Sequence, residues 1–142
     1  MKAVLDTNVI VSAAISAKGP PAEILKAWRA QSFVWVLSEP LLDELEKTLA
    51  SSRLQRYLAW SDAERGDFVS FVRATAEIVR PERELTVIEA DSADNRVLEA
   101  AIEGGVDYIV SGDHHLRELK SYEEIPIVSP ARFTAIIKTG LA

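Results

Sequence analysis

The chain has 142 residues, 48% of them hydrophobic and 27% charged, a balance that excludes a disordered tail and suits one soluble globular domain spanning 1–142. Cysteine is absent and only His114 and His115 supply imidazole, which excludes disulfides and soft-ligand zinc sites and leaves oxygen to hold any metal. The net charge of −6 argues against nucleic-acid binding over the whole surface, although bound divalent ions invert the sign of an acidic pocket.

From the N-terminus, Lys2-Ala3-Val4-Leu5-Asp6 reads as a short buried strand that ends in an acid. The same stretch faintly imitates a secretory signal, with Ala14-Ile15-Ser16-Ala17 as a mock cleavage site, but Asp6 and Asn8 interrupt its apolar run. No segment approaches the roughly 20 apolar residues of a membrane span, so the expected location is the cytoplasm. Residues 8–16 continue as a helix, Gly19-Pro20-Pro21 marks a break, and 22–30 form a helix with Ile24, Leu25 and Trp28 on one face. A second strand covers 33–37. Ser38 then caps a helix with Pro40 in its first turn, running to about Leu49. A pair of helices spans roughly 52–76, and 77–80 is strand-like. A helix over 91–103 closes at Gly104-Gly105, a strand follows at 106–110, and Ser111-Gly112-Asp113 forms a turn. A last strand at 125–128 and a helix at 130–138 complete the pattern. Strands alternating with helices imply an α/β fold with a parallel sheet.

In open parallel sheets, ligands bind beyond the carboxyl ends of the strands. Asp6 and Asp113 close two of the most apolar strands and are expected on the same edge, although an aspartate there also suits a turn or a helix cap. Asp94 carries a sharper signal. At about 100° per residue, with Asp94 at zero, Val97, Leu98, Ala101 and Ile102 fall near 300°, 40°, 340° and 80°, which centres Asp94 on the buried face. A buried carboxylate is costly unless paired or metal-bound. Asp91-Ser92-Ala93-Asp94 also resembles a capping box with Asp91 as the cap. On the helix containing Leu41, Leu42, Leu45 and Leu49, Glu44 and Glu46 sit on opposite borders of the apolar face, and periodicity does not choose between them. Asn8, Ser12 and Ser111 are candidates for orienting carboxylates or a metal-bound water, and equally ordinary turn or helix-start residues. An oxygen-only set of this kind suits Mg2+ or Mn2+ at a phosphate.

Four segments in order resemble the PIN-domain family: Val4-Leu5-Asp6-Thr7-Asn8-Val9-Ile10-Val11-Ser12-Ala13, Ser38-Glu39-Pro40-Leu41-Leu42-Asp43-Glu44-Leu45, Asp91-Ser92-Ala93-Asp94-Asn95 and Asp107-Tyr108-Ile109-Val110-Ser111-Gly112-Asp113. The likeness is closest to the toxin component of prokaryotic toxin–antitoxin pairs. It implies a three-layer sandwich in which helices flank a central, mainly parallel twisted sheet. It also implies a metal-dependent endoribonuclease with Asp6, Glu44, Asp94 and Asp113 as its acidic quartet, and so favours Glu44 over Glu46. A homodimer and a small antitoxin partner are further implications. One departure stands out: where the family often has another acid two residues after the fourth aspartate, this chain has His115, a residue able to ligate manganese or contact phosphate and equally suited to an exposed turn.

Positive charge for an RNA substrate is sought at Arg53 and Arg56 beside Tyr57 and Trp60, and at Lys18, Arg96 and Arg117, forming a basic rim around the carboxylates. The plain alternative for Arg53 and Arg56 is a solvated helix face over packed Leu54, Tyr57 and Leu58. Two other functions compete. One is a catalytically weak PIN-like module that binds RNA or protein without cutting. The other is a phosphotransfer domain, disfavoured because Asp6-Thr7-Asn8 offers an amide where a second acid is needed, and because no phosphate loop or nucleophile elbow is present.

Overall fold

Short apolar runs alternate with amphipathic helices to build a six-stranded sheet with helices on both faces, in a computed structural model that describes residues 1–58, 60–87 and 92–139. The strands are β1 (Lys2–Leu5), β2 (Val34–Ser38), β3 (Glu77–Val79), β4 (Tyr108–Val110), β5 (Ser121–Tyr122) and β6 (Ile125–Val128), in spatial order β3-β2-β1-β4-β6-β5. All neighbours are parallel except β5, which runs antiparallel to β6 at the edge. This is the three-layer, mainly parallel sandwich that the PIN-domain resemblance implies. From β1 the chain moves outward through β2 to β3, then returns to the other side for β4 and β6. The order therefore reverses between β1 and β4, the place in an open parallel sheet where a crevice forms beyond the carboxyl ends of the strands.

The helices are α1 (Thr7–Ile15), α2 (Pro20–Arg29), α3 (Glu39–Leu49), α4 (Ser52–Gln55), α5 (Asp62–Thr75), α6 (Ser92–Gly104), α7 (His114–Glu118) and α8 (Pro130–Thr139). Among the described residues no helix is long and apolar enough to cross a membrane. Gly19-Pro20-Pro21, read as a break, is where α2 begins, because proline in a first turn gives up only an amide that would have no intrahelical partner. Ser38 caps α3 as expected, its Oγ accepting from Leu41 N at 3.4 Å. The strand expected over 106–110 starts later. Gly105 adopts φ +57° and the Val106 amide turns back to the Ala101 carbonyl at 3.2 Å, so these residues close α6 before β4 begins. Asp91, the cap of the expected capping box, lies outside the described residues.

Two elements were not foreseen. A short helix, α7, follows Asp113, where only a turn was expected. The β5–β6 hairpin turns on Glu123 and Glu124 with φ values of +47° and +70°. Such two-residue turns favour asparagine and glycine, so a Glu-Glu pair gives no warning of one.

The core lies between the sheet and its helices. Trp28 of α2 meets Trp35 of β2 edge-on at 5.0 Å, and Phe133 of α8 meets Phe33 at 5.1 Å and Tyr108 at 5.9 Å. The close of α6 is as tight. A Cβ added to Gly104 would come within 2.5 Å of Cγ1 of Val36, which is fully buried on β2. Valine is stiff at χ1 and β2 has no room to move. Gly104→Ala is therefore expected to cost about 1–3 kcal/mol despite alanine's better helix propensity, read as a lower urea midpoint.

Candidate active site

The crevice between β1 and β4 is built by extension of both strands. Asp6 N donates to the Val110 carbonyl at 2.9 Å and Ser111 N to the Val128 carbonyl at 3.0 Å, so each residue stands one step beyond the end of its strand on the same edge. Asp6 is 6% exposed and Ser111 fully buried. Ser111 Oγ donates to Asp6 Oδ2 at 2.7 Å and accepts from Asp113 N at 2.9 Å. One hydroxyl thus links the acid after β1 to the turn after β4.

The two strand-end aspartates differ in a way the sequence left open. Asp6 occupies the N-cap position of α1, yet its side chain makes no cap hydrogen bond. Asp113 does cap its helix: Oδ1 accepts from His115 N at 2.7 Å and Leu116 N at 3.4 Å. A carboxylate has about four acceptor positions over two oxygens, so capping through Oδ1 leaves Asp113 further acceptor capacity.

Glu44 of α3 is half-buried and accepts from Thr7 Oγ1 at 2.8 Å, whereas Glu46 and Asp43 are exposed. Packing of α3 against α1 turns Glu44 inward, the choice that helical periodicity could not make. Thr7, itself buried, was not singled out beforehand; its only signal was its place beside Asp6. Asp94, in the first turn of α6, is 4% exposed, on the buried face as its helical angle requires. Among the described residues, no group of three or more His, Asp or Glu side chains is close enough together to hold a metal ion.

A cleft of about 430 Å3 opens at this edge, lined by Asn8, Ser12, Gly112, Asp113 and His114 among others. His114 and His115 are exposed, with ring centroids 4.1 Å apart. The expected basic rim is only partly present. Arg53 and Arg56 are exposed above buried Leu54 and Leu58, but Tyr57, expected to pack beneath, is 68% exposed. Arg96 is not on the rim. Its Nε pairs with Glu99 at 2.8 Å and its guanidinium donates to the Leu85 carbonyl, while Glu99 accepts from Leu85 N at 2.7 Å. The pair fastens the 81–87 segment to α6, so the 7% exposure of Glu99 reflects a structural tie.

The buried Ser111 hydroxyl is open to a direct test by substitution because it serves two partners at once. Ser111→Ala removes the buried hydroxyl that donates to Asp6 Oδ2 and accepts from Asp113 N, and is expected to cost about 1–3 kcal/mol. Ser111→Thr, which keeps the hydroxyl, should be closer to the parent in a urea titration.

Over 120 residues the chain is 29% identical to an uncharacterized protein of Methanocaldococcus jannaschii, covering 84% of this chain and 76% of that one. Residues 2–115 match the PIN domain, a family whose members are generally nucleases. A chain matched over most of its length, with buried Asp6 and half-buried Asp113 joined through Ser111 at the β1–β4 crevice, belongs to the PIN domain family.

Proposed function

We propose that this protein is a divalent-cation-dependent endoribonuclease, using Mg2+ or Mn2+, and the toxin of a toxin–antitoxin pair. Asp6, Glu44, Asp94 and Asp113 are its acidic quartet in this reading. The observation that carries it is Asp6: a buried carboxylate at the point where the strand order reverses, held by Ser111 and not used as a helix cap. Burying such a charge is costly, and sites that bind cations or phosphates are where that cost is met.

The donor set fits a hard cation. It is all oxygen, and magnesium is commonly held by only one or two carboxylates beside substrate phosphate oxygens and water, so no cage of three protein acids is required. When bound, the cation supplies an activated water and neutralises phosphodiester charge. The chain's own contribution is orientation. Ser111 fixes the direction of Asp6, Thr7 fixes Glu44, and Asn8 and Ser12 offer polar groups to a phosphate lying in the cleft.

Purified protein incubated with a mixed RNA and Mg2+ or Mn2+ is expected to give internal cuts that stop with EDTA and are lost in Asp94→Asn. Cuts that persist in both controls would mark a contaminant. A second reading, a PIN-like module that binds RNA or protein without cutting, draws on the use of Asp113 Oδ1 as a helix cap and on His115 standing where an acid is common; no cleavage with any divalent ion favours it. A homodimer, a small antitoxin protein covering the cleft and a cytoplasmic location complete the proposal. Light scattering tests the first, and the second is tested by whether a small reading frame, if one lies beside this gene, relieves growth arrest when co-expressed.

A further inference from the structure

The cleft beside Asp113 does not end at His114. That residue also borders a second groove, of about 500 Å3, between α7 and the first turn of α8. Arg117, Lys120 and Arg132 line this groove against one carboxylate, that of Glu118, on a chain whose net charge is −6. All three cations are exposed, and among the described residues none of them forms an ion pair. Of the other cations, Lys2, Arg65, Arg73, Arg83 and Arg96 are each matched to an acid, and the rest, though without ion pairs among the described residues, line neither this groove nor the cleft beside Asp113. Three cations without acid partners thus share a groove that meets, at His114, the cleft beside Asp113.

We infer that this groove is a backbone track for the RNA strand, in which Arg117, Lys120 and Arg132 hold phosphates flanking the one in the cleft. The inference deepens the nuclease reading and rests on it for the substrate. Phosphate contacts from arginine and lysine set the register of a strand without reading its sequence. They also supply what the acidic cleft lacks, an attraction for the polyanion before any cation is bound. The exposed His114–His115 rings stand at the junction, where a base of the strand has an aromatic face to stack on. An acidic protein segment is the competing occupant. The shared His114 border favours RNA, because a strand with one phosphate among the carboxylates must place its neighbours alongside.

The test is anisotropy of a labelled single-stranded RNA titrated with protein in EDTA, where the strand stays intact, over a range of salt concentrations. Removing three phosphate contacts should make the slope of log affinity against log salt shallower by about 2 units in Arg117→Ala/Lys120→Ala/Arg132→Ala. The charge-preserving Arg117→Lys/Arg132→Lys should keep the parent slope, and circular dichroism checks that both variants fold. An unchanged slope in the triple variant overturns the track, as does a parent protein that binds no RNA. A polyglutamate peptide that binds in place of RNA and is lost on the same substitutions also overturns it, assigning the groove to an acidic protein. Cleavage by the parent with no slope change leaves the nuclease reading standing without the track. The slope change without cleavage leaves the track standing without the nuclease.

Discussion

Asp6→Asn is expected to lower kcat/KM for RNA roughly a thousandfold while leaving stability unchanged or slightly raised. The amide matches the carboxylate in shape and keeps an oxygen to accept from Ser111 Oγ. What disappears is a buried negative charge, and replacing a buried charge with a neutral group of equal volume is often neutral or stabilising. Activity responds in the opposite direction. A metal-held transition state loses several kcal/mol of charge stabilisation, and about 4 kcal/mol is about a thousandfold in rate. Gel assays of end-labelled RNA alongside thermal melts separate the two effects. Activity and stability falling together would instead make Asp6 a structural residue.

The largest stability effect should come from beyond the segment that matches the family. Phe133 lies on α8, outside residues 2–115, yet is fully buried and packs edge-on against Phe33 while meeting Tyr108 of β4. Phe133→Ala is expected to cost about 3–5 kcal/mol and to lower Tm by roughly 10 °C or more. A melt within a few degrees of the parent would mean that α8 is a peripheral addition. The sheet argues against that, because β6 covers the free edge of β4 and leads directly into α8.

Much of this architecture was legible because burial and periodicity set it. The apolar runs at β1 and β2 allowed few other readings, and Ser38 followed by Pro40 gave the start of α3 from local chemistry alone. Asp94 was placed by the angle of its helix, since a side chain centred among Val97, Leu98 and Ala101 has no way out of the core. Elements whose cause is tertiary were not legible. The β5–β6 hairpin depends on two glutamates held at positive φ, an arrangement that the surrounding structure imposes and local preference opposes. The different employments of Asp6 and Asp113 follow from where Ser111 and the α7 amides lie, which spacing does not encode. Arg96 was assigned to the rim by its position in the chain. Its tie to Glu99 and Leu85 needs a segment more than ten residues away in sequence to fold back over α6.

In the proposed mechanism, the β1–β4 crevice gathers a divalent cation onto Asp6 together with a phosphate of the substrate. Crystals grown with Mn2+ and an RNA carrying an uncleavable linkage test it through anomalous scattering. The expected result is a manganese peak about 2.0–2.2 Å from an Asp6 carboxylate oxygen, with a phosphate oxygen of the RNA among its ligands. A cleft that holds RNA with no manganese at Asp6, or manganese bound only away from the crevice, would contradict it.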